Sequence, residues 1–211
     1  MKRLIAPVLL CLLFAGCGTY MTQYRNVSEA KKTYSNILVL GYFQNRIARG
    51  LLEREISQFL TDKAVQATPS RNSDIDFGLE RQLTDEEIAG IRRELIEKGY
   101  DGIIVTTLLD TGEDREEIPP FISTSDMPMQ YNSFSSYFGF YPALSWEPGR
   151  VVTETYFILE SSLYTLDQEP GENLQWLGRF KVSDPEDVEK LTRQYARELG
   201  RALLANSIRK P

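Results

Sequence analysis

Residues 37–43 read ILVLGYF, an apolar run with no polar alternate, and no other stretch limits the possible folds as strongly. A strand of this kind is buried on both faces, so it requires a covering layer on each side. From Arg46 the period changes: Ala48, Leu52, Ile56, Phe59 and Leu60 fall on one helical face, with Arg49, Glu53, Arg54 and Asp62 mostly elsewhere. This predicts an amphipathic helix over residues 46–63. A short strand at 65–68 ends at Pro69, and residues 70–78 form a polar loop. Thr84 and Glu87 then make a capping box, with Leu83 and Ile88 able to pack across it. Ile88, Ile91, Leu95 and Ile96 give the helix at 85–98 an apolar face, and Gly99 supplies the left-handed residue that ends it. A second strongly apolar strand follows at 103–109. Strand, helix, strand, helix, strand predicts a parallel set with helices packed on it.

The pattern breaks over residues 111–149, a long loop that is acidic at first and then rich in Ser, Pro and aromatic side chains. Residues 151–166 are β-branched and aromatic, residues 167–171 make a turn, and Leu174, Trp176, Gly178, Phe180 and Val182 alternate with polar residues. These two strands form a hairpin. Asp184 and Pro185 are placed to start a closing helix over 185–205, whose apolar face is Val188, Leu191, Tyr195, Leu199 and Leu203. The expected fold class is α/β (α+β mixed), with one mixed β-sheet in the order β-α-β-α-β-loop-β-β-α and helices packed on it. The expected domain is single and spans residues 36–205.

At the amino end, Lys2 and Arg3 precede an apolar run over residues 4–14, followed by Ala15, Gly16 and Cys17. That run is shorter than the about 20 apolar residues a membrane-spanning helix needs and has the length of a signal peptide's apolar core. Residues 1–16 therefore read as a signal that is removed. The sequence LFAGC at 13–17 resembles the lipobox of bacterial lipoproteins, with Phe14 where Leu is usual. The resemblance implies a lipid on Cys17 and attachment to a membrane through it. Gly18 in place of Asp resembles the pattern of lipoproteins exported to the outer membrane, which implies the inner leaflet facing the periplasm. In a Gram-positive source it implies the cell surface. Residues 18–35 are polar without an apolar period and are expected to be a tether, with an average reach of roughly 20 to 25 Å.

Composition excludes several functions. The full chain has a net charge of −6, and loss of Lys2 and Arg3 with the signal takes it to −8. That sign argues against nucleic acid and against basic-patch binding to anionic lipid. Cys11 leaves with the signal and Cys17 would be a thioether, so no disulfide is expected. The chain contains no His, which removes Ser-His-Asp and Cys-His catalysis and imidazole metal sites. Glu53 and Glu55, and Asp85 to Glu87, read as a polar helix face and an acidic first turn. The acidic run from Asp110 to Glu117 lacks calcium-loop spacing and reads as a solvated turn. The glycines match no phosphate-binding pattern. No catalytic residue, no metal ligand and no cofactor is expected.

The residues ILVLGYF at 37–43, KGYDGIIVTTLLD at 98–110, the tyrosine-rich loop ending near Trp146, and YFILESSLYTLDQEPGENLQWLGRF at 156–180 resemble those of a group of uncharacterised bacterial lipoproteins. More distantly, the element order resembles the small α/β domains of the curli-secretion lipoprotein and of the amino-terminal domain of TolB. Those resemblances imply a non-catalytic periplasmic domain that binds or assembles with another envelope protein. The partner is unidentified, and self-association is the other form of the same reading. The alternative is a carboxylate-based hydrolase of the cell envelope. The loop draws attention because Phe121, Tyr131, Phe134, Tyr137, Phe138, Phe140, Tyr141 and Trp146 place eight aromatics within residues 121–146. They either plug one end of the core, insert at the membrane interface, or stay exposed as partner anchors, the last naming Phe134, Tyr137, Phe138, Phe140, Tyr141 and Trp146 as partner-binding residues.

Overall fold

The computed structural model describes residues 19–27, 30–118, 121–122, 146–147, 150–168, 173–183 and 187–209. The chain divides into two units, one of residues 1–112 with 156–211 and a second of residues 113–155. The first carries a six-stranded mixed sheet. In chain order its strands are β1 (Thr19–Asn26), β2 (Ile37–Tyr42), β3 (Ala67–Pro69), β4 (Gly102–Ile118), β7 (Arg150–Thr165) and β8 (Leu174–Ser183). Their order across the sheet is β1-β8-β7-β4-β2-β3. The far ends of β4 and β7 belong to the second unit, where β5 (Phe121–Ile122) pairs antiparallel with β6 (Trp146–Glu147).

β2 forms where the apolar run predicts, and it is parallel to β3 on one side and to β4 on the other. Its side chains alternate between two apolar clusters. Ile37 and Val39 point to one, with Ile104, Leu163, Trp176, Phe180 and Val182 from neighbouring strands. Helix α1 (Arg46–Thr61) and helix α3 (Val188–Asn206) cover that face through Leu52, Ile56, Leu60, Tyr195, Leu199 and Leu203. The two helices approach closely at Gly200, where a Cβ would lie 2.2 Å from the Phe59 ring. On the opposite face Leu38 and Leu40 join Ile75, Phe77, Leu95, Tyr100 and Leu166, and Leu95 is the contribution of helix α2 (Asp85–Glu97).

Helix α2 carries the capping box as expected: Thr84 Oγ1 accepts from Glu87 N–H, and Thr84 N–H donates to the Glu87 carboxylate at 2.8 Å. Gly99 follows its end at φ +84°. Of its expected apolar face only Leu95 is buried; Ile88 and Ile96 are 52% and 44% exposed, because a single row of contacts reaches the sheet. The closing helix starts later than expected. Asp187 caps it, its Oδ1 accepting from Lys190 N–H at 3.0 Å, and the expected cap Asp184 lies outside the described residues.

The largest departure is at the amino end. The segment 18–35, expected as a tether, is knitted into the fold from Thr19 onward. β1 pairs antiparallel with β8 from Thr19 opposite Val182 to Asn26 opposite Trp176. Lys32 bridges Ile208 in parallel, with Lys32 N–H to Ser207 O at 2.9 Å and Arg209 N–H to Lys32 O at 2.9 Å. The expected loop at 111–149 starts later, since β4 runs on to Ile118, and it ends where expected, with β7 beginning at Arg150.

Two outcomes test this packing. Leu95→Ala and Leu199→Ala, each removing a buried side chain, are expected to cost about 2 to 5 kcal/mol in urea denaturation. The Glu87 carboxyl, bonded first by Arg81 and then by the Thr84 N–H, titrates at about 2, below its ordinary 4.5. A proton affinity lower in the folded than in the unfolded state gives stability that is complete above pH 4.5 and lost as pH falls toward 2. The urea midpoint is expected to fall through that window, and to fall less in Glu87→Gln.

Candidate functional site

At the carboxyl ends of β2 and β3 the sheet opens into a cleft of about 890 Å³. Open α/β sheets place ligands outside the carboxyl ends of their parallel strands. Gln44 follows β2, Arg46, Arg49 and Gly50 come from the first turns of α1, Arg71 sits in the 3-10 turn after β3, and residues 75–81 close the far wall.

The floor of the cleft is Glu53, which sequence reading assigns to a polar helix face. It is 1% exposed. Its Oε1 accepts from Gly41 N–H at 2.9 Å and from Ser70 Oγ at 2.8 Å. The pairing explains this. Ile37 N–H bonds Gln66 O on the β3 side, so Gly41 N–H, four residues on, points to that side too. β3 stops opposite Val39, leaving that donor without a strand, and the Glu53 carboxylate replaces it. Ser70 in turn holds the turn after β3, its carbonyl accepting from Ser73 Oγ at 2.7 Å.

Arg46 pairs with Glu80 at 3.1 Å across the rim, and Arg81 pairs with Glu87 at 2.6 Å. Asp76 Oδ1 accepts from Gly78 N–H at 2.9 Å. Among the described residues, the guanidinium groups of Arg49 and Arg71 have no hydrogen bond or ion pair. Arg71 Nη1 lies 3.5 Å from where a Cβ on Gly50 would be, next in sequence to Arg49.

The cleft and the amino end lie at the same end of the sheet. β4 runs parallel to β2. β7 runs antiparallel to β4, because Leu166 N–H bonds Asp101 O at the start of β4, Thr106 meets Ser161 further on, and Gly112 approaches Tyr156. Phe157 is opposite Val182, and Val182 is opposite Thr19. Thr19 is therefore on the side of the carboxyl ends of β2 and β3, beyond the row of Tyr42 and Thr107.

Of the residues named from sequence, Phe134, Tyr137, Phe138, Phe140, Tyr141 and Cys17 lie outside the described residues; Trp146 is in β6, opposite Ile122. Ser161 and Ser162 are buried, and Ser161 Oγ is held between Thr106 Oγ1 at 2.6 Å and Tyr195 OH at 2.8 Å. Among the described residues no group of three or more Asp, Glu, Cys or His is arranged to hold a metal.

No protein-family model and no curated protein matches the chain. Solved structures with a similar arrangement include the PelC dodecamer from Paraburkholderia phytofirmans, at 6% identity and TM-score 0.45 over 90% of this chain and 99% of that one. They also include lipoprotein GNA1162 from Neisseria meningitidis, at 14% identity and TM-score 0.39 over 82% of this chain and 99% of that one.

The role of Glu53 yields a prediction. Glu53→Ala strips an acceptor from two donors at once and is expected to cost about 1 to 3 kcal/mol for each donor left buried. Ser70→Ala, which leaves the Gly41 bond intact, is expected to cost less in the same urea titration.

Proposed function

We propose that the protein is a membrane-anchored bacterial lipoprotein whose domain catalyses no reaction and binds another envelope protein, or a second copy of itself. The observation that carries this reading is the position of β1. Gly18 alone separates Cys17 from this strand, so a lipid on Cys17 holds the strand's first residue within about 7 Å of the anchor. β1 is an edge strand, and residues 22–27 are exposed. An edge of this kind offers a row of backbone donors and acceptors for strand addition by a partner.

Two features support a non-catalytic domain. The sequence has no His, and the buried groups that resemble catalytic ones are committed to the fold: Glu53 to Gly41 and Ser70, Ser161 to Thr106 and Tyr195. Export to the outer membrane with the domain facing the periplasm rests on Gly18 after the lipobox.

The test uses the full chain in its own membranes with a photo-crosslinking residue at Thr22 or Tyr24. Adducts are expected from both positions and not from the exposed Arg93 of α2. An adduct of twice the chain's mass identifies self-association, and any other mass an envelope partner. Cys17→Ser is expected to abolish incorporation of labelled fatty acid and to lose the adducts. Unchanged fatty-acid labelling in Cys17→Ser, or equal adducts from Arg93, contradicts the proposal.

A further inference from the structure

We propose that the cleft binds a phosphate-like oxyanion on Arg49 and Arg71. Among the cleft's four arginines, Arg46 and Arg81 are neutralised by Glu80 and Glu87. Arg49 and Arg71 are not: the other two lining carboxylates, Glu53 and Asp76, keep their charge but make no ion pair with either. Glu53 is bonded to Gly41 and Ser70, Asp76 to the Gly78 N–H, and Glu80 to Arg46. A chain with six more acids than bases has nonetheless left two cations unpaired in one concavity. Both are Arg, whose planar fork matches two oxygens of a phosphate, where Lys would offer a point charge.

The surroundings favour the same charge. The first turn of α1 carries no acid and does carry Arg46 and Arg49, whereas α2 begins with Asp85, Glu86 and Glu87. Cations at a helix start oppose the macrodipole, and an anion bound there reverses the sign of that interaction. At about 890 Å³ the cleft has the size of a site for a whole small molecule, so the oxyanion is one group of something larger. With the lipid proposed above on Cys17, two residues before Thr19, the anchor is on this side of the sheet, which brings the cleft toward the bilayer surface and makes a phospholipid headgroup one source of the phosphate. A soluble phosphorylated molecule is the other source.

The experiment follows the Nε signals of ¹⁵N-arginine-labelled, lipidated protein in uncharged detergent during additions of inorganic phosphate and of glycerol phosphate. A parallel set is taken in phosphatidylglycerol vesicles. Saturable shifts of the Arg49 and Arg71 signals are expected, absent with chloride at equal ionic strength. Arg71→Gln, in an exposed turn where folding is undisturbed, is expected to weaken the half-saturation concentration at least ten-fold. Arg201→Gln on α3 is expected to leave it unchanged. Shifts with vesicles alone assign the phosphate to lipid, and shifts with soluble phosphates assign it to a soluble molecule. No saturable shift in any condition, or a shift of full strength surviving Arg71→Gln, overturns the proposal.

Discussion

From Ile37 to Gly41, β2 has no solvent-facing side, and most of the molecule is a consequence of that. Ile37, Leu38 and Val39 are each 0% exposed, which requires apolar layers above and below the strand and a hydrogen-bonded neighbour on each edge. β3 and β4 supply the edges in parallel. Each parallel crossover must carry a helix over the sheet. α1 covers the face of Ile37 and Val39, and α2 covers that of Leu38 and Leu40. The weak point of the scheme is the short β3, which abandons β2 after Val39. An acid buried at 1% exposure would ordinarily be costly, but two donors that would otherwise be orphaned offset its desolvation. That repair turns the Glu53 carboxylate toward Gly41 and Ser70, and it makes no ion pair with Arg49 or Arg71 in the cleft above it.

The same economy appears in the other half of the sheet, where three hydroxyl groups sit among apolar side chains. Thr106 on β4, Ser161 on β7 and Tyr195 on α3 bond one another in a chain, with Tyr195 1% exposed and its phenol pushed well above the ordinary range, first of all by burial. Each oxygen can donate one bond and accept another, so the chain satisfies itself only when the two strands and the helix are in their native register. Apolar residues of equal volume would tolerate a slipped β4 or β7; this arrangement does not. Phe180 packs edge-on against the same tyrosine ring at 4.9 Å, which brings β8 under the same constraint.

Elements with a strong apolar period are legible in the sequence: β2, the α1 stripe of Leu52, Ile56 and Leu60, the capping box of α2, and the hairpin of β7 and β8 all stand where the pattern puts them. β1 is not legible, for a physical reason. Met21 is its one side chain packed on the core among the described ones, and residues 22–27 face solvent, so nothing in TYMTQYRN shows a buried face. Its place is fixed by backbone bonds to β8, which periodicity cannot report. Glu53 escapes for a related reason. A carboxylate on the fourth position after Arg49 looks like one of a solvated pair, and only the early end of β3, a matter of three residues, turns it inward. The cap of α3 is Asp187, which offers the same cap chemistry as the expected Asp184, three residues earlier and outside the described residues.

Loss of the tether changes what the lipid proposed on Cys17 would do. A coil of eighteen residues would let an acidic domain drift about 20 Å from an anionic surface that repels it. With β1 beginning at Thr19, a domain anchored in this way would have no such freedom, and repulsion between an anionic surface and a chain of net charge −6 would act on its orientation alone. The Thr19 end of β1 is on the same side of the sheet as the carboxyl end of β2, where the arginine cleft opens. The sheet order puts four strand spacings between β1 and β2, roughly 19 Å at the usual interval. The lipid proposed on Cys17 and an anionic group bound in the cleft would together define a line, and a body held along a line keeps only the rotation about it. Held so, the solvent-facing edge of β1 would have few orientations left to it, which is the condition a partner needs in order to meet the strand in a repeatable register.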